Sequence, residues 1–393
     1  MRRTWKLRNG LKAAAATALV ALALAACGSS STATTTTAGG ATSTTSSGAT
    51  GATGSTTTTA ATTAFKACEV TDTGGINDRS FNASAYAGLK VAAAAVPGLT
   101  YQFLSSSSTS DYVPNINQFI SNHCGIIVTV GFDMAAATQA AAKAHPSQKF
   151  TIVDFTYSPE IKNVLGLFYN TAQDAFLGGY LAAAMSTTHT VGTFGGQDIP
   201  PVTIYMDGWV AGVRYYDLHN HASVKALGWT PAANRPKGSL NGSGLFTNDF
   251  TNQNLGKTDA QTLIAQGADV IFPVAGSVGL GAAAAVKAAG GTNYMEWVDT
   301  DGCISAPQYC SLFLTSVTKG ITASVSAAVI AAAKGTFKGG NYNGTLANNG
   351  VGLSPFHDFA SKIPASVQAE LKTLKAGIIA GTISVDPNSY PAG

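Results

Sequence analysis

From residue 66 onward, short apolar runs alternate with longer helical runs along the chain. Runs of strand length, such as Ile126–Val130 and Val191–Phe194, precede Ala-rich helical stretches such as Met134–Ala144. A strand followed by a helix at this spacing is typical of parallel sheets covered by helices on both faces. Ligands of such sheets bind beyond the carboxyl ends of the strands. We therefore predict an α/β fold with its polar side chains gathered at those ends.

Residues 65–393 are too many for one ordinary hydrophobic core and suit two lobes. Hydrophobic residues make up 45% of the sequence and charged ones 11%, so the apolar surface suffices for burial. We predict two doubly wound lobes with a central ligand cleft. Lobe 1 is expected at about 65–170 and 300–330, and lobe 2 at about 171–299 and 331–393.

The N-terminus indicates export. A basic head is followed by the Ala/Leu run Leu11–Ala26, which is shorter than the roughly 20 residues of a membrane-spanning helix and has the length of a signal-peptide core. The run ends in Leu24-Ala25-Ala26-Cys27, which resembles the bacterial lipobox. We predict a signal peptide at 1–26 and a lipid on Cys27 that anchors the chain to the extracytoplasmic face of the cell membrane. We expect export by the general secretory route, although Arg2-Arg3 leaves the twin-arginine route open.

Residues 27–64 are almost wholly Ser, Thr, Ala and Gly and carry no charge. Such a segment cannot bury enough apolar surface to offset the entropy of ordering it, so we predict a flexible tether. The same composition is compatible with a glycosylated stalk. The net charge of +3 includes five basic residues of the signal peptide, so the remainder is near neutral or slightly acidic. Nucleic-acid binding through a basic patch is not indicated.

Four cysteines remain after Cys27, and an even number in an exported chain favours disulfides. Cys68 and Cys124 each begin a strand-like run, so neighbouring strands could bring them together. Cys303 and Cys310 would then close a short loop. The sequence leaves the connectivity open.

The segment Thr71–Asn82 follows the first predicted strand and leads into a helix that we expect Ser80 to cap. Two glycines permit a tight turn, and four polar groups lie beside the helix N-terminus. With Phe81 and Tyr86 nearby, this polar density favours a flat, hydroxyl-rich ligand.

This segment resembles the signature of the basic membrane protein (BMP) family of substrate-binding lipoproteins, which includes purine nucleoside receptors. Further blocks resemble the family in the same order and extend over nearly all of 68–385: Gly131-Phe132, Val153-Asp154, Asn163–Gly166, Ala175–Tyr180, Gly267–Phe272, Trp297–Asp301, Leu314–Lys319 and Val351–Pro355. The resemblance implies a type I periplasmic-binding-protein fold, a nucleoside or other small polar ligand, and an ABC permease and ATPase as partners. It implies no enzymatic activity, cofactor or metal.

The resemblance also implies roles for individual residues. Asp299 would accept hydrogen bonds from ribose hydroxyls with help from Asp301, and Lys319 would donate to the sugar. The other implied ligand contacts are Asn77 and Asp78 on the ribose side, Tyr86 and Phe81 stacking on the ring, Asp174 at the polar edge of the base, and the small residue Gly276.

The sequence departs from the family pattern at three places: Gly302-Cys303 follows Asp301, the segment Asn248–Lys257 is long, and the position near Gly276 offers no aromatic ring. Phe246 and Phe250 are expected to pack a loop. These departures leave a sugar as an alternative ligand.

Three other functions are alternatives to solute binding for transport. An enzyme is disfavoured because Gly276–Gly281 has the spacing G-x-x-G-x-G, which does not suit a dinucleotide turn. A metal receptor built on Asp217, His219 and His221 is disfavoured because a His-x-His pair on a helix directs its rings to different faces. A sensor or adhesin on the same scaffold stays open.

Overall fold

The computed structural model describes residues 64–231 and 243–391, which belong to one compact unit, Ala61–Gly393. The predicted signal peptide, Cys27 and the tether up to Thr63 lie outside the described residues. Among the helices described, none combines the length and the apolar character needed to cross a membrane.

Strands and helices alternate from the first described strand onward. The first half contains β1 Lys66–Val70, α1 Phe81–Ala95, β2 Thr100–Leu104, α2 Tyr112–Ser121, β3 Ile126–Val130, α3 Ala135–Ala144, β4 Lys149–Val153, β5 Val164–Tyr169, α4 Ala172–Met185 and β6 Thr190–Gly195. The second half contains α5 Pro200–Asn220, β7 Lys225–Leu227, β8 Trp229–Thr230, β9 Ser243–Gly244, α6 Gln253–Ala265, β10 Val270–Val274, α7 Gly279–Ala289, β11 Tyr294–Asp299, α8 Gly302–Ser305, β12 Phe313–Lys319, α9 Ile321–Ala333, β13 Gly340–Gly344, β14 Val351–Leu353 and α10 Ala365–Ala380.

Two six-stranded sheets define the two lobes. The first has the order β13-β5-β4-β3-β1-β2 and the second β14-β12-β11-β10-β6-β7. Numbered by chain order within each sheet and read from the opposite edge, both sheets begin with the strand order 2-1-3-4-5 that is typical of doubly wound folds. All pairings in the first sheet are parallel, and the second departs from that pattern only where β14 runs antiparallel to β12. The predicted two-lobed α/β fold is confirmed.

The division of the chain between the lobes differs from the expected bounds. Strand β12 lies in the second sheet beside β11, although 300–330 was expected in lobe 1. Strand β13 joins the first sheet beside β5, although 331–393 was expected in lobe 2. The physical reason is that the chain passes between the sheets three times, through α4, through α9 and through the turn between β13 and β14.

The sequence accounts for the layers. Central strands such as β3 and β10 are buried at every position and consist largely of β-branched and other apolar residues, as parallel strands covered on both faces require. Helix α1 packs against α9 through the close approach of Gly88 to Val325. Disulfides join Cys68 to Cys124 in lobe 1 and Cys303 to Cys310 in lobe 2.

Candidate functional site

A cleft lies where the carboxyl ends of the strands of both sheets face each other. It has about 650 Å³ of empty space, part of which is open to solvent. Its polar and aromatic lining residues are Asp72, Thr73, Asp78, Phe81, Asn82, Phe132, Asp133 and Asp154 from lobe 1 and Tyr205, Phe250, Asp299 and Lys319 from lobe 2. Parallel strands place most of these residues together because they end a strand or lie in the segment between a strand and the next helix, whereas Tyr205 lies in the second turn of α5.

Lys319 ends β12 and is the basic group at the centre of the cleft. Its Nζ lies 2.6 Å from Oδ2 of Asp154 and 3.4 Å from Oδ1 of Asp299. The ammonium is also 5.0 Å from the ring centroids of Phe81 and Tyr205. Burial lowers the pKa of Lys319, but the attraction of the two carboxylates outweighs burial, so the pKa lies above its ordinary value. Lys319 is therefore an ammonium at neutral pH.

Asp299 ends β11 and is held from both lobes. Its Oδ2 accepts a hydrogen bond from the Ser80 hydroxyl at 2.8 Å, and its Oδ1 accepts one from the Tyr205 hydroxyl at 3.2 Å. Ser80 stands at the N-cap position of α1 as predicted, but its side chain makes no capping bond. Its hydroxyl donates to Asp299, across the cleft, instead.

Asp78 performs the capping that was expected of Ser80. Its carboxylate accepts bonds from the backbone N–H groups of Ser80, Asn82 and Ala83 and from the Asn82 side chain. Burial raises the pKa of Asp78, while these donors oppose the rise. Asp78 lines the cleft, yet most of its hydrogen-bonding capacity serves the start of α1.

Asp72, at the end of β1, shares the same loop. Its Oδ1 accepts bonds from the Asn82 amide at 2.7 Å and from the Gly74 N–H at 2.8 Å. Burial raises the pKa of Asp72 to about 7, against the stabilising bond from Asn82. Asp72 and the exposed Asp133 give this wall of the cleft an acidic character, which suits a ligand rich in hydrogen-bond donors.

Each lobe also supplies aromatic rings to the cleft. Phe81 and Phe132 line it from lobe 1, and Phe250 lines it from lobe 2. Gly276 adopts a positive φ of 53°, and a Cβ added there would lie 4.0 Å from the Phe250 ring. The segment that the sequence showed to be long thus provides the ring missing near Gly276. Phe250 was expected to pack a loop, and sequence reasoning missed its place in the cleft.

Five of the nine predicted ligand residues line the cleft: Asp78, Phe81, Gly276, Asp299 and Lys319. The other four lie elsewhere. Asn77 is exposed, and Tyr86 packs edge-to-face on Tyr101 and Phe103 at the open edge of the first sheet. Asp301 caps α8 and pairs with His357 at 2.8 Å.

Asp174 is the fourth. It is fully buried near the start of α4, where its Oδ2 accepts a bond from the Gly352 N–H at 3.3 Å. Burial raises its pKa well above the ordinary value. The helix-terminal position was correctly inferred, but the side chain turns to the β14 backbone instead of the cleft.

The rival metal ligands do not converge. Asp217 accepts a bond from the Val224 N–H, while the His219 ring stacks on Tyr215 at a centroid distance of 3.8 Å. Asp301, Cys303 and His357 do lie within 4.8 Å of one another, but the sulfur of Cys303 is bonded to Cys310.

Two lobes of one topology with a shared cleft lined by carboxylates, rings and a lysine define a solute-binding protein of the α/β class. The chain belongs to the PnrA-like family of ABC transporter substrate-binding proteins, whose family model matches residues 65–234 and 245–388. The role of this family is to bind a substrate and not to transform it.

The chain is also similar to individual curated proteins. The chain is 32% identical over 226 residues to the ABC transporter nucleoside-binding protein BmpA of Lactococcus lactis, a match that covers 57% of this chain and 58% of the relative. It is 28% identical over 339 residues to the CD4+ T-cell-stimulating antigen of Listeria monocytogenes, covering 82% of this chain and 88% of that one. Basic membrane protein A1 of Borrelia garinii is 28% identical over 320 residues, covering 80% and 86%.

Solved structures share the fold. An ABC transporter solute-binding protein from Aeropyrum pernix superposes with a TM-score of 0.71 at 24% identity, covering 81% of this chain and 92% of that one. A solute-binding protein from Conexibacter woesei gives a TM-score of 0.61 at 20% identity, covering 84% and 100%.

Proposed function

We propose that this chain is an extracytoplasmic lipoprotein, anchored through Cys27, that binds a nucleoside in the cleft and delivers it to an ABC permease and ATPase. The observation that carries the proposal is the combination of Asp299 and Lys319 with aromatic rings from both lobes in one cleft. A relative in the same family is named a nucleoside-binding protein, which supports the same ligand class.

The chemistry of the cleft suits the two halves of a nucleoside. A carboxylate accepts hydrogen bonds from the paired hydroxyls of a ribose, and an ammonium donates to the same oxygens. Phe81 and Phe250 offer flat apolar faces to a base. When it is ionised, Asp72 would accept hydrogen bonds from the N–H groups at the edge of such a base.

The charges also indicate which relatives of a nucleoside are rejected. Five carboxyl groups line the cleft against one lysine, and that lysine is already paired with Asp154. Among the cleft residues that the structure describes, no cation is left free to balance a phosphate group facing these carboxylates, so a nucleotide binds far more weakly than its nucleoside.

The test is calorimetry and thermal melting of the unit from Ala61 onward with guanosine, adenosine and inosine. We expect micromolar or tighter binding and a raised melting temperature for at least one nucleoside, and neither effect with the matching 5′-monophosphate. Binding of free ribose or another sugar without nucleoside binding would favour the sugar alternative. Absence of any effect across the nucleoside panel would remove the nucleoside assignment.

The contribution of Asp299 is tested by Asp299→Ala. Loss of a charge-assisted hydrogen bond costs about 1.5–3 kcal/mol, so the dissociation constant should rise about ten- to hundredfold. The matched control is Asp301→Ala, which removes a neighbouring carboxylate that binds His357 outside the cleft and should leave affinity within about threefold. Equal effects of the two substitutions would contradict the assignment of Asp299.

A further inference from the structure

Asp154 and Asp299 occupy corresponding places in the two lobes. Each directly follows a valine at the carboxyl end of the fourth strand of the 2-1-3-4-5 order, Asp154 after β4 and Asp299 at the end of β11. Both adopt a left-handed backbone, with φ of 65° and 66°, a conformation that non-glycine residues seldom adopt. Both carboxylates are buried, and both turn toward the ammonium of Lys319.

The shorter of the two contacts is the one that crosses between the lobes. Lys319 belongs to the second sheet, and its Nζ lies 2.6 Å from Asp154 of lobe 1 but 3.4 Å from Asp299 of its own lobe. Asp299 is meanwhile occupied by the hydroxyls of Ser80 and Tyr205. Lys319 therefore gives its strongest contact to the opposite lobe, at the point where the chain itself crosses into α9.

We propose that Asp154 is a positioning residue that closes the two lobes before a ligand binds and fixes the ammonium of Lys319 in the orientation from which it donates to a ligand. Asp154 does not itself need to touch the ligand. The proposal rests on the binding role of the cleft but not on the ligand being a nucleoside.

The pairing explains how closure and binding share one lysine. An ammonium has three N–H donors, and Asp154 and Asp299 use two of them, which leaves one for a ligand oxygen. Without Asp154, Asp299 is the one ion-pair partner of Lys319 that remains among the described residues, and Lys319 moves toward it. A ligand then competes with Lys319 for the carboxylate, and the lobes lose a buried charge pair that joins them.

The ionisation of Asp154 makes the device sensitive to pH. Burial raises the pKa of Asp154 to about 6, with Lys319 opposing the rise and Asp299 adding to it. The other titratable groups that face Asp154 are Tyr169 and Tyr205, whose pKa values burial raises well above the ordinary value, so neither titrates near pH 6. Between pH 7.5 and pH 5, Asp154 takes up a proton and the ion pair across the cleft is lost.

The test measures the radius of gyration of the dialysed, ligand-free unit from Ala61 onward by small-angle X-ray scattering, with circular dichroism to verify folding. We expect the radius of the wild type to increase from pH 7.5 to pH 5 with a midpoint near 6. Asp154→Asn should show the larger radius already at pH 7.5, with no further change at pH 5. Lys319→Gln should behave alike, because it removes the other half of the ion pair.

Asp133→Asn is the matched control for the radius, because it removes a carboxylate from the same wall of the cleft at an exposed position. Its radius should follow that of the wild type at both pH values. An unchanged radius in a folded Asp154→Asn at pH 7.5 overturns the proposal. If that variant does not fold, the wild-type titration decides, and a radius that stays constant between pH 7.5 and pH 5 overturns the proposal equally. None of these readouts needs a ligand, so they are independent of the nucleoside assignment.

Discussion

Glu69 is a carboxylic acid in the middle of a buried parallel strand. It lies in register with Phe103 of β2 and Val128 of β3 and is fully buried. Neither carboxyl oxygen has a hydrogen-bond partner in the described ranges 64–231 and 243–391. Burial, reinforced by the negative charges of Asp78 and Asp72, raises the pKa of Glu69 well above its ordinary value. The folded protein therefore holds a proton there that the unfolded chain releases.

We predict that Glu69→Gln stabilises the protein increasingly as pH rises. The pKa of Glu69 is raised on folding, so its contribution to stability is fully present below about 4.5 and is lost as pH rises toward the folded pKa. Within that window, the advantage of Glu69→Gln over the wild type should grow by about 1.4 kcal/mol per pH unit. Urea unfolding of both proteins at pH 5, 6 and 7 measures this difference.

The control is Glu160→Gln, the same substitution at an exposed glutamate, whose effect on the free energy of unfolding should be small, within about 0.5 kcal/mol. A pH-independent difference for Glu69→Gln would mean that its carboxyl group is solvated or paired, contrary to the structure.

At the level of single residues, the sequence predicts cleft positions better than it predicts partners. Asp299 and Lys319 end strands, and parallel strands bring such ends together, so their place in the cleft follows from position alone. Asp154 ends a strand in the same way, but its partner lies 165 residues further along the chain. Nothing local in the sequence distinguishes it from a solvated turn residue. Tyr86 is the opposite case: it was predicted to contact the ligand but packs on the edge strand β2. An aromatic ring beside a polar loop suits either position, so the sequence could not distinguish them.

Helices α4 and α5 approach each other closely, backbone to backbone, in lobe 2. A Cβ added at Gly179 would lie 1.9 Å from the Trp209 carbonyl oxygen, and one at Gly212 would lie 2.0 Å from that of Phe176. Both obstacles are helix backbone and cannot rotate away. The glycines are thus required by the distance between the helices and not by backbone conformation.

We predict that Gly212→Ala destabilises the protein. Alanine gains about 1 kcal/mol over glycine in a helix interior, but overpacking costs about 1–3 kcal/mol, and a contact this short with backbone belongs at or above the top of that range. The net loss should be at least about 1–2 kcal/mol, measured by urea unfolding. Gly352→Ala is the control, because its added Cβ would meet no heavy atom within 4 Å. A Gly212→Ala as stable as the wild type would mean that the helices pack further apart than described.

Among the elements, those with a clear apolar pattern were predictable and those without it were not. The runs Ile126–Val130 and Val270–Val274 are buried throughout and correspond to predicted strands. Strand β13 has the sequence GNYNG, whose polar residues and glycines resemble a turn, because it is an edge strand with alternate positions exposed. Because β13 could not be predicted, nothing in the sequence indicated that the chain returns to lobe 1, and the lobe bounds were therefore misplaced.

On the scale of the whole molecule, each lobe carries one disulfide. Cys68–Cys124 has a sequence separation of 56 and ties β1 to the segment just before β3 in lobe 1, whereas Cys303–Cys310 has a separation of 7 in lobe 2. In the chain-entropy description, a cross-link stabilises by restricting the unfolded chain, and the effect grows with the length of the loop it closes.

We predict that the two disulfides contribute unequally. Replacing Cys68 and Cys124 by alanine should lower the free energy of unfolding by about 4 kcal/mol, against about 2.5 kcal/mol for Cys303 and Cys310. Urea unfolding of the two double variants measures both. A larger loss for the pair in lobe 2 would show that native contacts of the short loop, and not the unfolded chain, dominate the effect.

The three passages of the chain between the sheets also bear on how such a protein can change over generations. A cut of the chain anywhere between β6 and β13 leaves both sheets incomplete, because β13 and β14 join the two sheets only after all their other strands. Neither fragment of a chain cut there contains a complete sheet, so neither has the makings of a separate folding module. Exchange of one such fragment between two related genes would therefore carry strand ends from both lobes and alter both walls of the cleft together.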